Sequence, residues 1–189
     1  MSDAQPFTLT IANDRALVEI RSWLPEHQLG QQSATLAGQM LPSEVGATLA
    51  APLRILCVAP AQWLLVTREP WSTVLGWHAA GSTTGLVLLD ATDAYATLTL
   101  RGRAMREVLS KGCGLDLHPL AFPPGRCART RFAHIPLIVE HVDDGQGFDL
   151  HVARSYARWL ADWLRDAALE FTSTATVDAR HPTGNASAR

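Results

Sequence analysis

The sequence predicts an α+β fold made of two tandem mixed units with antiparallel-rich sheets. Two kinds of pattern predict it: short apolar runs of strand length separated by turn residues, and a helical pattern in each half of the chain. We assign residues 1–90 to an N-terminal unit and residues 91–171 to a C-terminal unit. With 189 residues, 47% of them hydrophobic, the chain is long enough to bury about two thirds of its unfolded surface.

The N-terminal unit has the predicted order ββαβ. Apolar runs at residues 53–59 and 63–67 flank a proline-containing turn and predict two strands. A helix is predicted near residues 71–79 and a further strand at residues 86–89. Residues 25–52 are rich in Gly, Gln, Ala and Pro and show neither a strand nor a helix period. We interpret them as a long connection, either a mobile loop or a segment that lies along a partner.

The C-terminal unit has the predicted order βαβββα. Residues 95–100 alternate as a strand, and residues 104–109 form one apolar side of a short helix. Lys111 and Gly112 follow, a cation and a flexible residue of the kind that end helices. The remaining predicted strands are residues 127–133, 136–141 and 148–152.

The longest predicted helix runs from about residue 155 to 171, with Ser155 as its N-cap. Its apolar face consists of Tyr156, Trp159, Leu160, Trp163, Leu164 and Ala167. For Trp159 and Trp163 we favour core packing, and any part of this face that its own sheet leaves uncovered is predicted to be an interface. Residues 172–189 are small and polar, and we predict a disordered tail.

Composition and charge exclude several classes of partner. The formal net charge is −2, so no global field attracts nucleic acid or anionic lipid. No apolar run is long enough for a membrane span, and the N-terminus lacks a secretory pattern, so we expect a cytoplasmic protein. Cys57, Cys113 and Cys127 are widely separated, which predicts reduced, partly buried thiols rather than a disulfide framework or a zinc site.

Motifs for chemistry are missing from the sequence. There is no G-x-S-x-G, no reactive cysteine signature and no glycine-rich phosphate loop. His134, His141 and His151 lie on or near consecutive predicted strands, but their spacing matches no metal motif, and we interpret them as surface or internally satisfied histidines. The Asp143-Asp144-Gly145 run is typical of a turn. We therefore predict no catalytic, cofactor-binding or metal-ligating residue on this chain.

The segment 115–125 is a proline-rich turn with unusual apolar content. Its prolines fix the backbone, Gly125 permits a positive φ, and Asp116 accepts backbone hydrogen bonds within the loop. The apolar side chains of the turn are Leu115, Leu117, Leu120 and Phe122. They pack either on the chain's own core or on another subunit. The candidate interface residues are Leu117, Phe122, Arg126 and Arg154.

The order of residues around this turn matches a known family. The matching positions are Gly112, Cys113, Asp116, Leu117, Phe122, Pro123, Gly125, Cys127 and Thr130. Together with the later run FDLHVARSYARWLADWL at residues 148–164, they resemble the gamma subunit family of heterotetrameric sarcosine oxidase. The resemblance covers roughly residues 86–170.

The resemblance implies a non-catalytic subunit whose fold is a shortened relative of the folate-binding domains of aminomethyltransferases. The implied partners are alpha, beta and delta subunits, and the implied cofactors FAD, FMN, NAD and tetrahydrofolate lie on other subunits. The complex would oxidatively demethylate sarcosine or a related N-methyl amine.

Two other functions stay open at this point. A stand-alone folate-binding or one-carbon transfer protein would need a buried carboxylate, for which Asp90 in Asp-Ala-Thr is the acidic candidate. A self-sufficient homo-oligomer is the other alternative. The implied subunit would depend on its partners.

Overall fold

The computed structural model describes residues 6–12, 14–23, 35–79, 85–142 and 144–172. The strands are β1 Thr8–Ala12, β2 Ala16–Ser22, β3 Thr35–Leu36, β4 Gln39–Met40, β5 Thr48–Leu49, β6 Arg54–Ala59, β7 Gln62–Thr67, β8 Leu86–Asp90, β9 Tyr95–Arg101, β10 Arg126–Phe132, β11 Ile135–His141 and β12 Gly147–Ala153. The helices are α1 Trp71–Ala79, α2 Met105–Ser110 and α3 Ala157–Thr172. The predicted α+β class is confirmed.

Ten of these strands form two five-stranded antiparallel sheets, and β3 and β4 pair with each other in a two-stranded sheet. Sheet A has the order β1-β9-β12-β11-β10, and sheet B has the order β5-β6-β7-β2-β8. The strands and helices predicted for the ββαβ and βαβββα orders all occur, with ends shifted by one or two residues. Strands β1 and β2 were not predicted, and neither were the two-residue strands β3, β4 and β5 within residues 25–52. Because β1 pairs with β9 while β2 pairs with β7 and β8, these two successive strands belong to different sheets.

Alternating side chains along the strands create three apolar layers. Sheet A packs against α2, α3 and the 115–122 turn, and sheet B packs against α1 and the segment around Leu36 and Leu41. A third cluster lies between the sheets and includes Leu17, Leu56 and Ile138. The two sheets therefore pack face to face, with helices on the outer surfaces.

Residues 35–52 pack on the chain's own core, contrary to the expectation of a mobile or partner-bound connection. Leu36 and Leu41 are buried, and the Trp63 indole N–H donates to the Pro42 carbonyl at 2.7 Å. The Thr48 N–H donates to the Gly125 carbonyl at 3.2 Å, which ties the segment to the start of β10. Residues 25–34 lie outside the described residues, as does the predicted tail 172–189 except for Thr172, which is the last residue of α3.

Helix α3 begins differently from the prediction. Ser155 lies within a 3-10 turn, Arg154–Tyr156, that starts after Ala153, and no side chain caps it. Leu160 and Leu164 are fully buried on sheet A, whereas Trp159 is 47% exposed. The expectation of core packing for Trp159 is therefore wrong, because the buried face of α3 is centred on its leucines and alanines. None of the described helices is long and apolar enough to cross a membrane.

Candidate functional site: a buried ion-pair network and the predicted contact residues

Among the described residues, most of the buried charged and polar side chains lie between the two sheets, on or beside β11 and β12. Along β12, Phe148, Leu150 and Val152 face the helices. The alternate residues Asp149 and His151 therefore face sheet B, where both are completely buried. Carboxylates and imidazoles are rarely buried without partners, so each must find a hydrogen bond there.

Arg54 on β6 supplies the central cation of this network. Its Nε donates to Glu140 Oε1 at 2.8 Å, and its Nη2 donates to Glu140 Oε2 and to Asp149 Oδ2, both at 2.6 Å. One guanidinium of sheet B thus holds two carboxylates of sheet A with charge-assisted bonds. Arg15, which precedes β2, forms a second ion pair with Asp149, and the Thr99 hydroxyl donates to the other Asp149 oxygen at 2.6 Å.

His151 completes the network on the sheet A side. Its Nε2 lies 3.1 Å from Glu140 Oε2, and its Nδ1 lies 2.9 Å from the Thr97 hydroxyl. An ionised carboxylate only accepts hydrogen bonds, so Nε2–H is the donor to Glu140. In the neutral ring, Nδ1 then accepts from Thr97. Both ring nitrogens are occupied.

The network keeps its carboxylates ionised. Burial alone raises the pKa of Asp149, but the charges of Arg54 and Arg15 outweigh it and hold that pKa well below the usual range. Burial likewise raises the pKa of Glu140, and its bonds to His151 and Arg54 lower it overall. Although burial lowers the pKa of Arg54, the two carboxylates raise it further above its ordinary value. The buried charges are therefore matched and fixed in place.

This arrangement joins the sheets and leaves no reactive group in the network. Asp149 and Glu140 are saturated by cations and hydroxyls, so neither is placed as a general base. Among the described residues, no three His, Cys, Asp or Glu side chains cluster closely enough to hold a metal ion. The network acts as an electrostatic clamp between sheets A and B.

The structure places Leu117 and Phe122 in the chain's own core. Both are almost completely buried, and Phe122 stacks at 6.3 Å on His141, whose Nδ1 lies 2.8 Å from the Phe122 carbonyl oxygen. Arg106 on α2 donates through Nε to the Leu117 carbonyl at 3.2 Å. Of the two alternatives for this turn, own-core packing applies to these side chains, which have little surface left for a partner. Leu120 differs, because it is 88% exposed.

The two arginine candidates lie on the surface but are bound within the chain. Arg126 pairs with Glu44 at 2.6 Å, which links β10 to the segment before β5. Arg154 donates through Nε and Nη2 to the carbonyls of Asp93 and Thr92, both at 2.9 Å. These contacts give both arginines a structural role, and their remaining exposed surface is available to a partner.

The other predicted positions have local explanations. Asp90 is exposed, and it caps its own turn by accepting the Thr92 N–H at 3.0 Å. Hydrogen bonding to the Thr92 side chain, and then to this N–H, lowers the pKa of Asp90. It therefore lacks the buried setting that a pterin-binding carboxylate needs. Asp116 accepts the His118 N–H at 2.9 Å, as predicted for the turn. The three cysteines are free and buried, and burial raises the pKa of Cys127 to about 12.

The network has no clear signature in the sequence, because its members occupy alternate strand positions. In a half-exposed strand, polar residues at every second position face water. The available signal was the presence of Asp149 and His151 in the run FDLHVA, and of the Glu140-His141 pair at the end of the preceding strand. Both strands are otherwise rich in apolar residues. Without knowledge that sheet B covers that face, this signal does not distinguish a solvated surface from a buried network.

The fold and the interior define a class: a two-sheet α+β protein whose buried polar groups are used for its own cohesion. Residues 34–170 match the model of the "Sarcosine oxidase, gamma subunit family". The chain belongs to the sarcosine oxidase gamma subunit family, as the turn motif predicts.

Two relatives and one solved structure agree with this assignment, and a second solved structure shares the fold. Sarcosine oxidase subunit gamma of Corynebacterium sp. (strain P-1) is 32% identical over 143 residues, which cover 74% of this chain and 70% of the relative, and the Arthrobacter sp. protein of the same name gives the same values. A chain of the heterotetrameric sarcosine oxidase from Corynebacterium sp. U-96 in complex with pyrrole 2-carboxylate superposes with a TM-score of 0.74 at 26% identity, covering 93% of this chain and 90% of that one. The glycine cleavage system aminomethyltransferase T from Bartonella henselae superposes with a TM-score of 0.60 at 13% identity, covering 85% of this chain and 46% of that one. This last similarity confirms the predicted relation in fold.

Proposed function

We propose that this chain is the gamma-type subunit of a heterotetrameric, sarcosine oxidase-like flavin amine oxidase, and that it contributes structure rather than chemistry. The observation that carries the proposal is the similarity to a chain of the Corynebacterium heterotetramer, which extends over 93% of this chain and 90% of that one. Similarity over nearly the whole length of both chains supports an equivalent place in a similar assembly.

In the proposed complex, oxidative demethylation of sarcosine or a related N-methyl amine takes place on partner subunits of alpha, beta and delta type. FAD, FMN, NAD and tetrahydrofolate are bound by those partners. The arrangement of polar groups in this chain supports the assignment of the chemistry to the partner subunits. Glu140, Asp149 and His151 are engaged with each other and with Arg54, so they are not available to bind or activate a substrate.

The test is purification of the tagged chain from its native cells at moderate salt. We expect larger partner chains to co-purify with it and to bring flavin absorbance between roughly 350 and 500 nm. Mass analysis then identifies the partners, and sarcosine-dependent peroxide formation identifies the activity. A colourless chain that purifies without partners would contradict the proposal and would make titration with tetrahydrofolate the next experiment.

A further inference from the structure

One flank of α3 exposes aromatic and acidic side chains together. Tyr156 is 44% exposed and Trp159 47% exposed. Trp163 is half-buried, with its ring edge-to-face against Phe132 at 4.8 Å. Residues three, four and seven positions apart share one side of a helix, so these aromatic groups are neighbours on the surface. The apolar stripe of α3 is therefore wider than sheet A can cover.

Asp162 and Asp166 lie on the same side, three and seven positions after Trp159. The Asp162 carboxylate pairs with Arg165 at 2.9 Å, but both side chains are more than half exposed, so this pair contributes little and is easily replaced. We call the set Tyr156, Trp159, Asp162, Trp163 and Asp166 the Trp159 face. It combines an exposed indole with carboxylates within one or two helical turns.

We propose that the Trp159 face binds another subunit of the oxidase, which inserts a guanidinium group that stacks on Trp159 and pairs with Asp162 and Asp166. This inference rests on the proposed function. A planar guanidinium is attracted to the face of an indole, and it forms forked, charge-assisted bonds with carboxylates. The half-buried Trp163 adds apolar contact beside it. Tryptophan and arginine are also the residues that most often dominate binding energy at protein interfaces.

Charge complementarity favours a partner subunit with a cation over a second copy of this chain or a lipid surface. A contact between two copies of the chain, centred on Trp159 and related by a two-fold axis, would bring the Asp162 and Asp166 carboxylates of both copies together, and like charges repel. An anionic lipid surface is repelled by the same carboxylates. A partner surface with a cation among apolar side chains satisfies both components of the face.

The experiment measures the affinity of the purified chain for a complex of the remaining oxidase subunits, by surface plasmon resonance at about 0.1 M salt. For Trp159→Ala we expect a loss of about 30-fold or more, since truncation of a central aromatic anchor costs about 2 kcal/mol or more. For Asp166→Lys we expect a loss of about tenfold or more from repulsion of the partner cation. Asp166 is exposed, so this second variant tests the face without disturbing the core.

Two matched controls lie outside α3. Leu75 on α1 is 46% exposed, and Leu75→Ala should bind like the parent chain, as should Glu69→Lys, a charge reversal at an exposed residue. Higher salt should weaken the parent complex more than that of the Asp162→Asn/Asp166→Asn double variant.

If the parent chain fails to bind the other subunits at all, the proposed function fails. If it binds and the Trp159 and Asp166 variants bind equally well, the subunit assignment stands and the Trp159 face is overturned. A concentration-dependent homodimer that Trp159→Ala abolishes would also overturn it.

Discussion

Replacing Arg54 by methionine should destabilise the protein strongly at neutral pH. The substitution keeps an unbranched side chain but removes the cation that Glu140 and Asp149 share. The guanidinium side chain is only 20% exposed and both carboxylates are nearly inaccessible, so water cannot replace it. Arg15 still pairs with Asp149 and His151 still bonds to Glu140, and these partners reduce the loss.

The expected loss is about 3–5 kcal/mol in the free energy of unfolding, the range for removing one member of a buried ion pair. Coulomb's law agrees in scale, since two unit charges 4 Å apart at an effective dielectric constant of 20 interact by about 4 kcal/mol. In a chain of this size, each kcal/mol shifts the melting temperature by about 2–4 °C. The melting temperature should therefore fall by about 6–20 °C.

The loss in the free energy of unfolding should depend on pH, and the titration of Glu140 and Asp149 determines whether it grows or shrinks as pH falls. Their folded pKa values lie below their ordinary values, which are about 4.3 for Glu and 3.9 for Asp. The stability they contribute is therefore fully present above pH about 4–5 and disappears as pH falls through the folded values. The Arg54→Met variant lacks most of this contribution. The difference from the parent should be largest at pH 7 and should narrow below pH about 4.

The assay is urea unfolding of the full chain and of the variant at several pH values between about 7 and 3.5. The control is Arg68→Met, which removes a guanidinium that is 74% exposed and paired with exposed Asp14. It should cost at most about 1 kcal/mol. If both variants unfold at the same urea concentration, or if the Arg54→Met difference stays constant with pH, the clamp between the sheets does not contribute as inferred.

Three further predictions concern the family turn and its surroundings. Gly112→Ala should lower the unfolding free energy by about 1–3 kcal/mol in a denaturant titration, because the alanine Cβ would lie 2.7 Å from the buried Phe132 ring. Gly114→Ala is the control: its Cβ meets nothing within 4 Å, and the substitution should be tolerated. Phe122→Ala should lower the unfolding free energy by about 3–5 kcal/mol in the same titration, whereas Leu120→Ala should lower it by less than about 0.5 kcal/mol. Equal losses in the two variants would contradict own-core packing of the turn. Cys127 should resist alkylation by iodoacetamide in the folded chain at pH 8 and react after unfolding, since its thiol is buried with a pKa of about 12.

Local patterns were sufficient for most strands and helices. The alternation at residues 95–100 and the apolar runs on either side of residues 60–62 carry their period in the sequence itself. Strand β1 has a short alternation, Thr8-Leu9-Thr10-Ile11, but it lies at the edge of sheet A, and its place there is defined by its pairing with β9. Strand β2 lies inside sheet B, between β7 and β8. Its place in sheet B, while β1 lies in sheet A, depends on a crossing between the sheets that no local pattern encodes. Long-range pairing therefore determines the positions of both strands.

The candidate site was less predictable, because the whole fold determines whether a given strand or helix face is covered by another layer. Asp149 and His151 become interior residues only when sheet B lies over β12. Conversely, Trp159 has the apolar character of a core residue, yet it lies beyond the edge of the surface that sheet A offers to α3. In both cases the residue type was known from the sequence. The missing information was which neighbouring layer lies above it.

The clamp between the sheets also affects what the chain can offer to a complex. The apolar residues between the sheets, such as Leu56 and Ile138, tolerate small shifts, whereas Arg54 meets both carboxylates only in one alignment of β6 over β11 and β12. A one-residue slip of β12 would move Asp149 to the helix-facing apolar layer, where an unpaired charge is very costly. The polar groups of the interior are thus used to hold one arrangement of the two sheets. Recognition of other subunits must then come from the outer surface, and the Trp159 face on α3 combines apolar area with charge there.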